Sequence, residues 1–518
     1  MPKLSIKEVI GREAKAQARK DEWRSIYEDC YEFALPQRNL YSGYYEGKVS
    51  GKGKMQRVFD STAMSSTKRF ANRLQSGLFP PNRQWCRLEP GVAVPRQDRE
   101  RAQKILDAYI DIMFDQLRQT SFDLAMGEFL LDLCVGTAVM MVTPGDEVTP
   151  VRFLAIPQYL VAIEEGANGT IDNVYRKMRV KAEAISREFP DIVITPDLAD
   201  RIERKPGDDL DLFDAVIFDQ ETGRYHYHVI WPEKSQELVY REMQSSPFIV
   251  ARFSKTAGEI YGRGPLCDCI SDIKTLNKTI ELVLKNASLS ISGVYLAADD
   301  GVLNPQNIKI QPGAVIPVAR NGGPQGASLA PLPKAGDFNT SQIVIQDLRV
   351  NIKKVLMDDT LPPDTMSARS ATEIAQRQRE LATNLGSAFG RLMTEIMNPL
   401  VARILFVLDR QGLIDMPLKV NGVQLKISSI SPLAEAPKME EVNQLIQFMQ
   451  IANSLGPIGQ TVVNVPETLA FIAEKMSIDQ RVLNTPEEQQ AMMQQMQQAM
   501  MEQQQQMPTD ETVAGALQ

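Results

Sequence analysis

Two long helical patterns with a different kind of segment between them constrain this chain more than any other feature. The first opens at Pro265, where proline is tolerated because a first-turn N–H has no intrahelical partner. Leu266, Ile270, Ile273, Ile280 and Val283 recur along it at helical spacing. The second covers 339–356 and carries Ile343, Val344, Leu348, Ile352 and Val355. Between them, 292–338 turns to Gly, Pro and Asn, with β-like runs at Val294-Tyr-Leu296 and Ala314-Val-Ile-Pro-Val318. A helix, a small β-rich insert and a returning helix cannot bury every face within one subunit. Copies packed around an axis can, and heterologous contacts that close give a ring with a central hole.

Composition sets the broad class. The chain has 518 residues, 43% hydrophobic and 24% charged, as expected of a soluble globular protein with more than one domain. No run of eighteen apolar residues occurs, so no membrane span is expected. The start, Met1-Pro-Lys-Leu-Ser-Ile-Lys, lacks the apolar stretch of a secretory signal. Five cysteines (Cys30, Cys86, Cys134, Cys267 and Cys269) lie mostly in apolar helical patterns and read as buried thiols of a reducing compartment. A net charge of −8 is not the basic footprint of a protein that grips DNA. An acidic wall would instead let duplex slide past without a deep electrostatic trap.

Residues 6–35 read as one amphipathic helix, with Trp23, Ile26, Tyr27, Cys30 and Phe33 on one stripe and Pro36 ending it. A loop rich in Gly, Tyr and Lys covers 41–55. A capped helix follows: Asp60, Ser61 and Thr62 offer oxygens to its first turn, and Ala63, Phe70, Leu74 and Leu78 form its stripe. Gly77 and Pro80-Pro81 stop it before Trp85. Ile105, Leu106, Tyr109, Ile112, Met113 and Leu117 mark another helix, and a further one over 122–135 passes into the strand Thr137-Ala-Val-Met-Met-Val142. From 151 to 253 the period drops toward two, with hairpins turning at Glu165-Gly-Ala-Asn-Gly-Thr170 and Glu221-Thr-Gly223. The longest helical pattern is 372–411, carrying Ile374, Leu381, Leu385, Phe389, Leu392, Ile396, Leu400 and Ile404. Pro399 removes a ladder hydrogen bond from it, so a kink is expected there. A β-like piece at 418–427, more helices and a Gln/Met-rich end complete an α+β, mainly helical chain without an internal repeat.

The wording of the capped helix through Trp85, read with Pro247-Phe-Ile-Val-Ala-Arg252 and Gly258-Glu-Ile-Tyr-Gly-Arg-Gly264, resembles the portal (head-to-tail connector) proteins of short-tailed bacteriophages. The match runs unevenly from about 23 to 413, and the order and spacing of its motifs carry it. The resemblance implies a portal fold with a wing over 1–263, stem helices over 264–291 and 339–356, and a clip over 292–338. It further implies a tunnel loop over 357–371, a tunnel helix over 372–411, a wing return over 412–436 and a C-terminal crown over 437–518. By the same resemblance, the protein is a passive channel for double-stranded DNA in packaging and ejection, a ring of twelve copies. Its partners would be terminase, tail or adaptor proteins, and the major capsid and scaffolding proteins. It would be assembled in the host cytoplasm and reside in the virion, with no cofactor, no metal and no enzymatic activity. A collar or internal scaffold without a channel is the alternative.

Lys274, Lys278 and Lys285 share one face of the first long helix and are candidates to face DNA, although Glu281 on that face partly cancels them. The competing reading is a mixed solvated face or intersubunit salt bridges. Lys353 and Lys354 near the end of the second are further candidates and also suit a helix C-terminus. Asp358 and Asp359 head the following loop, either repelling phosphate at a constriction or standing as an exposed acid pair. His226 and His228 point to one face of a strand, with no acid or thiol at ligand spacing to make a metal site. Cys267-Asp-Cys269 lies in a helix and is neither a metal nor a redox motif. Gly47-Lys-Val-Ser-Gly-Lys-Gly-Lys54 lacks phosphate-loop spacing and reads as a flexible basic loop. No acid/base pair or Ser/His/Asp set emerges.

Overall fold

The computed structural model describes residues 4–38, 57–292 (apart from 82, 96 and 147), 295–297, 329–331, 338–358, 383–415, 425–454 and 464–475. The chain divides into two compact units, Met1–Leu433 and Ala434–Gln518. The basic loop at 47–54, all of 298–328 with the β-like run Ala314-Val-Ile-Pro-Val318, Asp359 and the Gln/Met-rich end lie outside the described residues.

The expected single helix over 6–35 is two: α1 (Ile6–Asp21) and α2 (Arg24–Ala34). A capping box between Ser5 and Glu8 starts α1. The break falls at Trp23 because the two halves serve different cores. Val9 and Ala16 of α1 pack on one face of a sheet with Tyr175, Phe213 and Ile230, whereas Tyr27, Cys30, Tyr31 and Ala34 of α2 join the main core. Lys20, near the end of α1, is buried and donates to the Tyr159 carbonyl oxygen.

The capped helix is α3 (Thr62–Leu78), and its cap is the Asp60 carboxylate, which accepts from the Thr62 N–H (2.8 Å). Strand β1 (Cys86–Pro90), α4 (Arg99–Leu117) and α5 (Phe122–Leu133) follow. Trp85 anchors this layer edge-on against Phe79 and Phe114, with ring centroids 5.0 and 5.2 Å away. Strand β2 (Thr137–Pro144) is the centre of an antiparallel three-stranded sheet, between β3 (Val151–Ile156) and the last strand of this region, Phe248–Arg252. A five-stranded antiparallel meander comprises β4 (Val161–Glu165), β5 (Ile171–Lys181), β6 (Asp209–Asp219), β7 (Arg224–Trp231) and β8 (Gln236–Met243). Helix α6 (Pro196–Arg204) lies between β5 and β6 in sequence, and Phe248–Arg252 is β9. Both expected hairpin turns join neighbouring strands of the meander.

Two glycines of the Gly258–Gly264 motif, Gly262 and Gly264, have a packing reason. A Cβ on Gly262 would meet the Gly136 carbonyl oxygen at 2.4 Å, and one on Gly264 would meet that of Cys134 at 2.1 Å. The two backbones touch and are hydrogen-bonded, Gly264 N–H to the Val135 carbonyl (3.0 Å) and Gly262 N–H to Thr137 Oγ1 (2.9 Å). Tyr27 donates its hydroxyl to the Gly262 carbonyl (2.6 Å). Gly264→Ala is therefore expected to lower stability by about 1–3 kcal/mol by forcing the backbones apart. Chemical denaturation of the purified variant checks it.

Helix α7 (Pro265–Ser292) is followed by β10 (Tyr295–Ala297), which pairs antiparallel with β11 (Leu329–Pro331), and then by α8 (Phe338–Val355). The long pattern over 372–411 is described from 383 and is not one continuous helix. Gly386, at φ +49°, interrupts it, and α9 (Ser387–Leu392) runs into a π-helical segment, Met393–Met397, and then α10 (Asn398–Arg410). The π segment sits just ahead of Pro399, whose missing N–H leaves a carbonyl of the preceding turn without its usual donor. It also carries Glu395, the chief partner of the buried Arg252. Arg252 Nη2 is 2.7 Å from Glu395 Oε1, and the Arg252 backbone N–H is 2.8 Å from Oε2. The same guanidinium donates to the carbonyls of Gly169 (2.9 Å) and Ile260 (3.2 Å) and reaches Glu165 (3.4 Å).

Strand β12 (Leu425–Ser429) returns to pair antiparallel with β1. The second unit holds most of α11 (Pro432–Ser454) and α12 (Val465–Lys475), on which Ile446, Phe448, Ile451, Leu469 and Phe471 are exposed. No described helix is long and apolar enough to cross a membrane.

Candidate functional site

Helices α7 and α8 pack along each other, and their burial changes along their length. Leu266, Cys269, Ile273 and Leu276 of α7 are buried, as are Ile352 of α8 and Leu356 just after it. Other faces of the pair are bare: Leu282 is 54% exposed, Ile343 64% and Val350 56%, with Leu284 and Val344 also exposed. Large apolar side chains thus line a helix pair that one subunit does not cover.

Polar clamps fix the buried end. Asn277 of α7 accepts from the Phe59 N–H (2.6 Å) and donates to the Arg57 carbonyl (2.7 Å), holding the lead-in to α3. Arg349 of α8 pairs with Asp60 at 2.7 Å, so one carboxylate both caps α3 and holds α8. Burial works against the charged form of Asp60, but bonds from Thr62 and Arg349 prevail and keep its carboxyl below the usual range.

Asp358 is not on an exposed loop. Helix α8 ends in a Schellman turn: the Asp358 N–H reaches the Lys353 carbonyl (2.7 Å), the Met357 N–H that of Lys354 (3.0 Å), and Met357 takes φ +53°. This turns the Asp358 carboxylate inward onto α3. There it accepts from Ser66 Oγ (2.7 Å) and lies 3.3–3.4 Å from Arg69 and Arg73. Positions 66, 69 and 73 share one helical face, which makes the receptor. Asp358 is a buried anchor within the subunit and is not free to repel phosphate; Asp359 lies outside the described residues.

The three lysines of α7 are exposed but matched. Lys274 pairs with Asp29 of α2 at 2.8 Å. Lys285 and Lys278 flank Glu281 at 2.5 and 3.0 Å, and these two bonds, Lys285 first, hold the Glu281 carboxyl below its usual value. Since Asp268 and Asp272 also lie on α7, the helix carries three acids against three lysines and no net charge. Lys353 and Lys354, in the last turn of α8, are exposed and have no ion-pair partner among the described residues. An open groove of about 750 Å³ runs beside α7, lined by Phe33, Arg57, Phe59, Lys274, Lys278 and Leu282 among others.

The two histidines are engaged within the sheet: His228 Nδ1 lies 2.7 Å from Glu237 and His226 Nδ1 2.8 Å from the Tyr240 hydroxyl. Among the described residues no group of three or more His, Cys, Asp or Glu is placed to hold a metal ion. Three features escaped the sequence reading: the Asn277 clamp, the Arg252–Glu395 network, and the approach of Cys30 to Cys267. Arg252 stands in a motif that the sequence singles out, but its partner lies 143 residues away and no local pattern points to it.

Comparison with known proteins bears on what such a helix pair is for. The probable portal protein of Bordetella phage BPP-1 is 23% identical over 495 residues, 89% of this chain and 84% of that protein. The portal protein of Escherichia phage T7 is 22% identical over 490 residues, 90% of this chain and 86% of its own length. A chain of the virion of a native gene transfer agent particle aligns with 80% of this chain and 91% of its own at 11% identity, with a TM-score of 0.36. The family model for the bacteriophage head to tail connecting protein matches residues 6–483. With nearly the whole chain inside that match, the protein belongs to the family of bacteriophage head-to-tail connecting proteins.

Proposed function

We propose that the chain is a portal protein: copies close into a ring at one capsid vertex and pass double-stranded DNA inward in packaging and outward in ejection. The observation that carries this reading is the set of uncovered apolar side chains Leu282, Leu284, Ile343, Val344 and Val350, which neighbouring copies in a closed ring would bury. The division into wing (1–263 and 412–436), stem (264–291 and 339–356), clip (292–338), tunnel loop (357–371), tunnel helix (372–411) and crown (437–518) belongs to this proposal. The pairing of β12 with β1 supports the wing return, and the β10–β11 pair supports a separate clip between the stem helices.

In this reading the channel wall touches DNA weakly. The chain carries −8 overall and α7 no net charge, so little phosphate neutralisation is available. Lys274, Lys278, Lys285, Lys353, Lys354 and Asp359 remain the proposed channel residues, while Asp358 serves as an anchor. Twelve copies, docking of terminase and tail proteins through the clip, and contact with capsid and scaffolding proteins complete the proposal, and no nucleotide is hydrolysed by this chain.

Negative-stain images of the purified protein are expected to show annular particles with a central hole. Ile343→Asp with Val350→Asp is expected to abolish the rings while leaving the far-UV circular dichroism spectrum unchanged. Particles without a hole would favour a collar or internal scaffold, and a compact monomer at every concentration and salt would overturn the ring itself.

A further inference from the structure

We propose that Cys30 and Cys267 form a redox pair that closes to a disulfide, locking α2 to the first turn of α7. The two Sγ atoms lie 3.9 Å apart although the residues are 237 positions apart in sequence. A disulfide requires about 2.05 Å, so closure asks for a shortening of about 2 Å shared between two side chains already in contact. No other described cysteine has a second sulfur so near. Cys269 turns its thiol to the Pro265 carbonyl of its own helix (3.3 Å) and Cys134 to the Leu130 carbonyl of its own (3.2 Å), whereas Cys267, whose thiol also reaches the Val135 carbonyl (3.0 Å), has Cys30 beside it.

The surroundings divide the roles. Cys267 is partly exposed and follows Arg263 and the start of α7, whereas Cys30 is fully buried. The contact with Cys30 holds the Cys267 thiol below its ordinary value, helped by the Gly264 backbone and Arg263 against the effect of burial. That same contact, with burial, pushes the Cys30 thiol well up. Burial likewise raises the thiols of Cys86 and Cys134 and leaves them inert. Cys267 is therefore the attacking sulfur and Cys30 the resolving one.

The oxidant is a small disulfide such as oxidised glutathione. The Cys267 thiolate attacks one glutathione sulfur and expels a glutathione thiolate, leaving a mixed disulfide. Cys30 attacks the Cys267 sulfur and expels the second glutathione thiolate, which takes up the Cys30 proton as it leaves. Two protein thiols are oxidised to one disulfide, and one glutathione disulfide is reduced to two thiols. Inside the reducing cell the pair stays open, and a virus particle released from it meets conditions in which the pair closes. This holds whether or not the protein conducts DNA.

The test treats the folded full-length protein with oxidised glutathione, alkylates the remaining thiols and maps peptides without reduction. The expected result is a Cys30–Cys267 cross-link, loss of two of the five free thiols and a higher unfolding temperature. Cys267→Ser removes all three changes, Cys269→Ser removes none, and Cys30→Ser leaves glutathione trapped on Cys267. Persistence of five free thiols, glutathione remaining on Cys267 of the wild-type protein, or cross-links scrambled among other cysteines would overturn the proposal. Should Cys30→Ser fail to fold, the wild-type map and the Cys267→Ser variant still decide it.

Discussion

Arg252→Ala is expected to destabilise the first unit by about 3–5 kcal/mol, because it removes the buried cation that two carboxylates were placed to meet and leaves Glu395 only Arg391, and Glu165 only Lys255, as a charged partner. Glu395 would lose its bonds from Nε and the 2.7 Å bond from Nη2, keeping the backbone N–H of residue 252 and the pairing with Arg391 (3.2 Å), and Glu165 would keep its pairing with Lys255. The carbonyls of Gly169 and Ile260 would also lose their donor. Since Arg252 joins β9, the β4–β5 turn and the π segment, the loss is expected across all three. Denaturant unfolding measures the cost, and hydrogen exchange locates it. The double variant Arg252→Ala/Glu395→Ala should cost clearly less than the sum of the single variants, since both remove the same bonds and the second change removes a carboxylate left with Arg391 as its remaining charged partner. Strict additivity, or a single-variant cost below about 1 kcal/mol, would show that the network is incidental.

The second large effect has the opposite sign. Lys20→Met is expected to stabilise the protein near neutral pH by on the order of 3 kcal/mol. Burial, and then the neighbouring Lys177, lowers the Lys20 ammonium from 10.5 to about 7, against the pull of Asp21 and Glu13. The group's folded value lies below its unfolded value. Between pH 7 and 10.5 the unfolded chain therefore holds a proton that the folded chain has shed, and stability rises with pH. Below about 7 both states are protonated and the folded state bears the full cost of burying the charge. In Lys20→Met this rise between 7 and 10.5 should vanish, and the gain in stability should be greatest at the acid end. Unfolding curves of both proteins across that range provide the comparison, and parallel curves would refute the assignment.

What was legible in the sequence was whatever a repeating pattern carries. The stripe of α3, the helices α7 and α8 themselves, the Pro265 start and the two hairpin turns stand where the residues place them, because burial on one face imposes a period, although Ile343 and Val344 of the α8 stripe are exposed. The break at Trp23 was hidden because one stripe continues through it, and only the tertiary structure shows that its halves face different cores. The interruption at Gly386 was hidden differently, since an isolated glycine inside a helical pattern is usually tolerated. Asp358 illustrates a third limit: its exposure depended on where a turn aimed it, and its receptor on α3 is almost 300 residues earlier. The paired charges on α7 were half visible, Glu281 from spacing and Asp29 not at all. Contacts without a local period belong to the fold and cannot be read from the string.

The meeting of Gly136 with Gly262, and of Gly264 with Cys134, has a mechanical consequence. A joint made through side chains yields under load because rotamers turn, whereas peptide planes in direct contact have no such slack. Strain along α7 is therefore expected to pass with little damping into β2, the middle of its sheet.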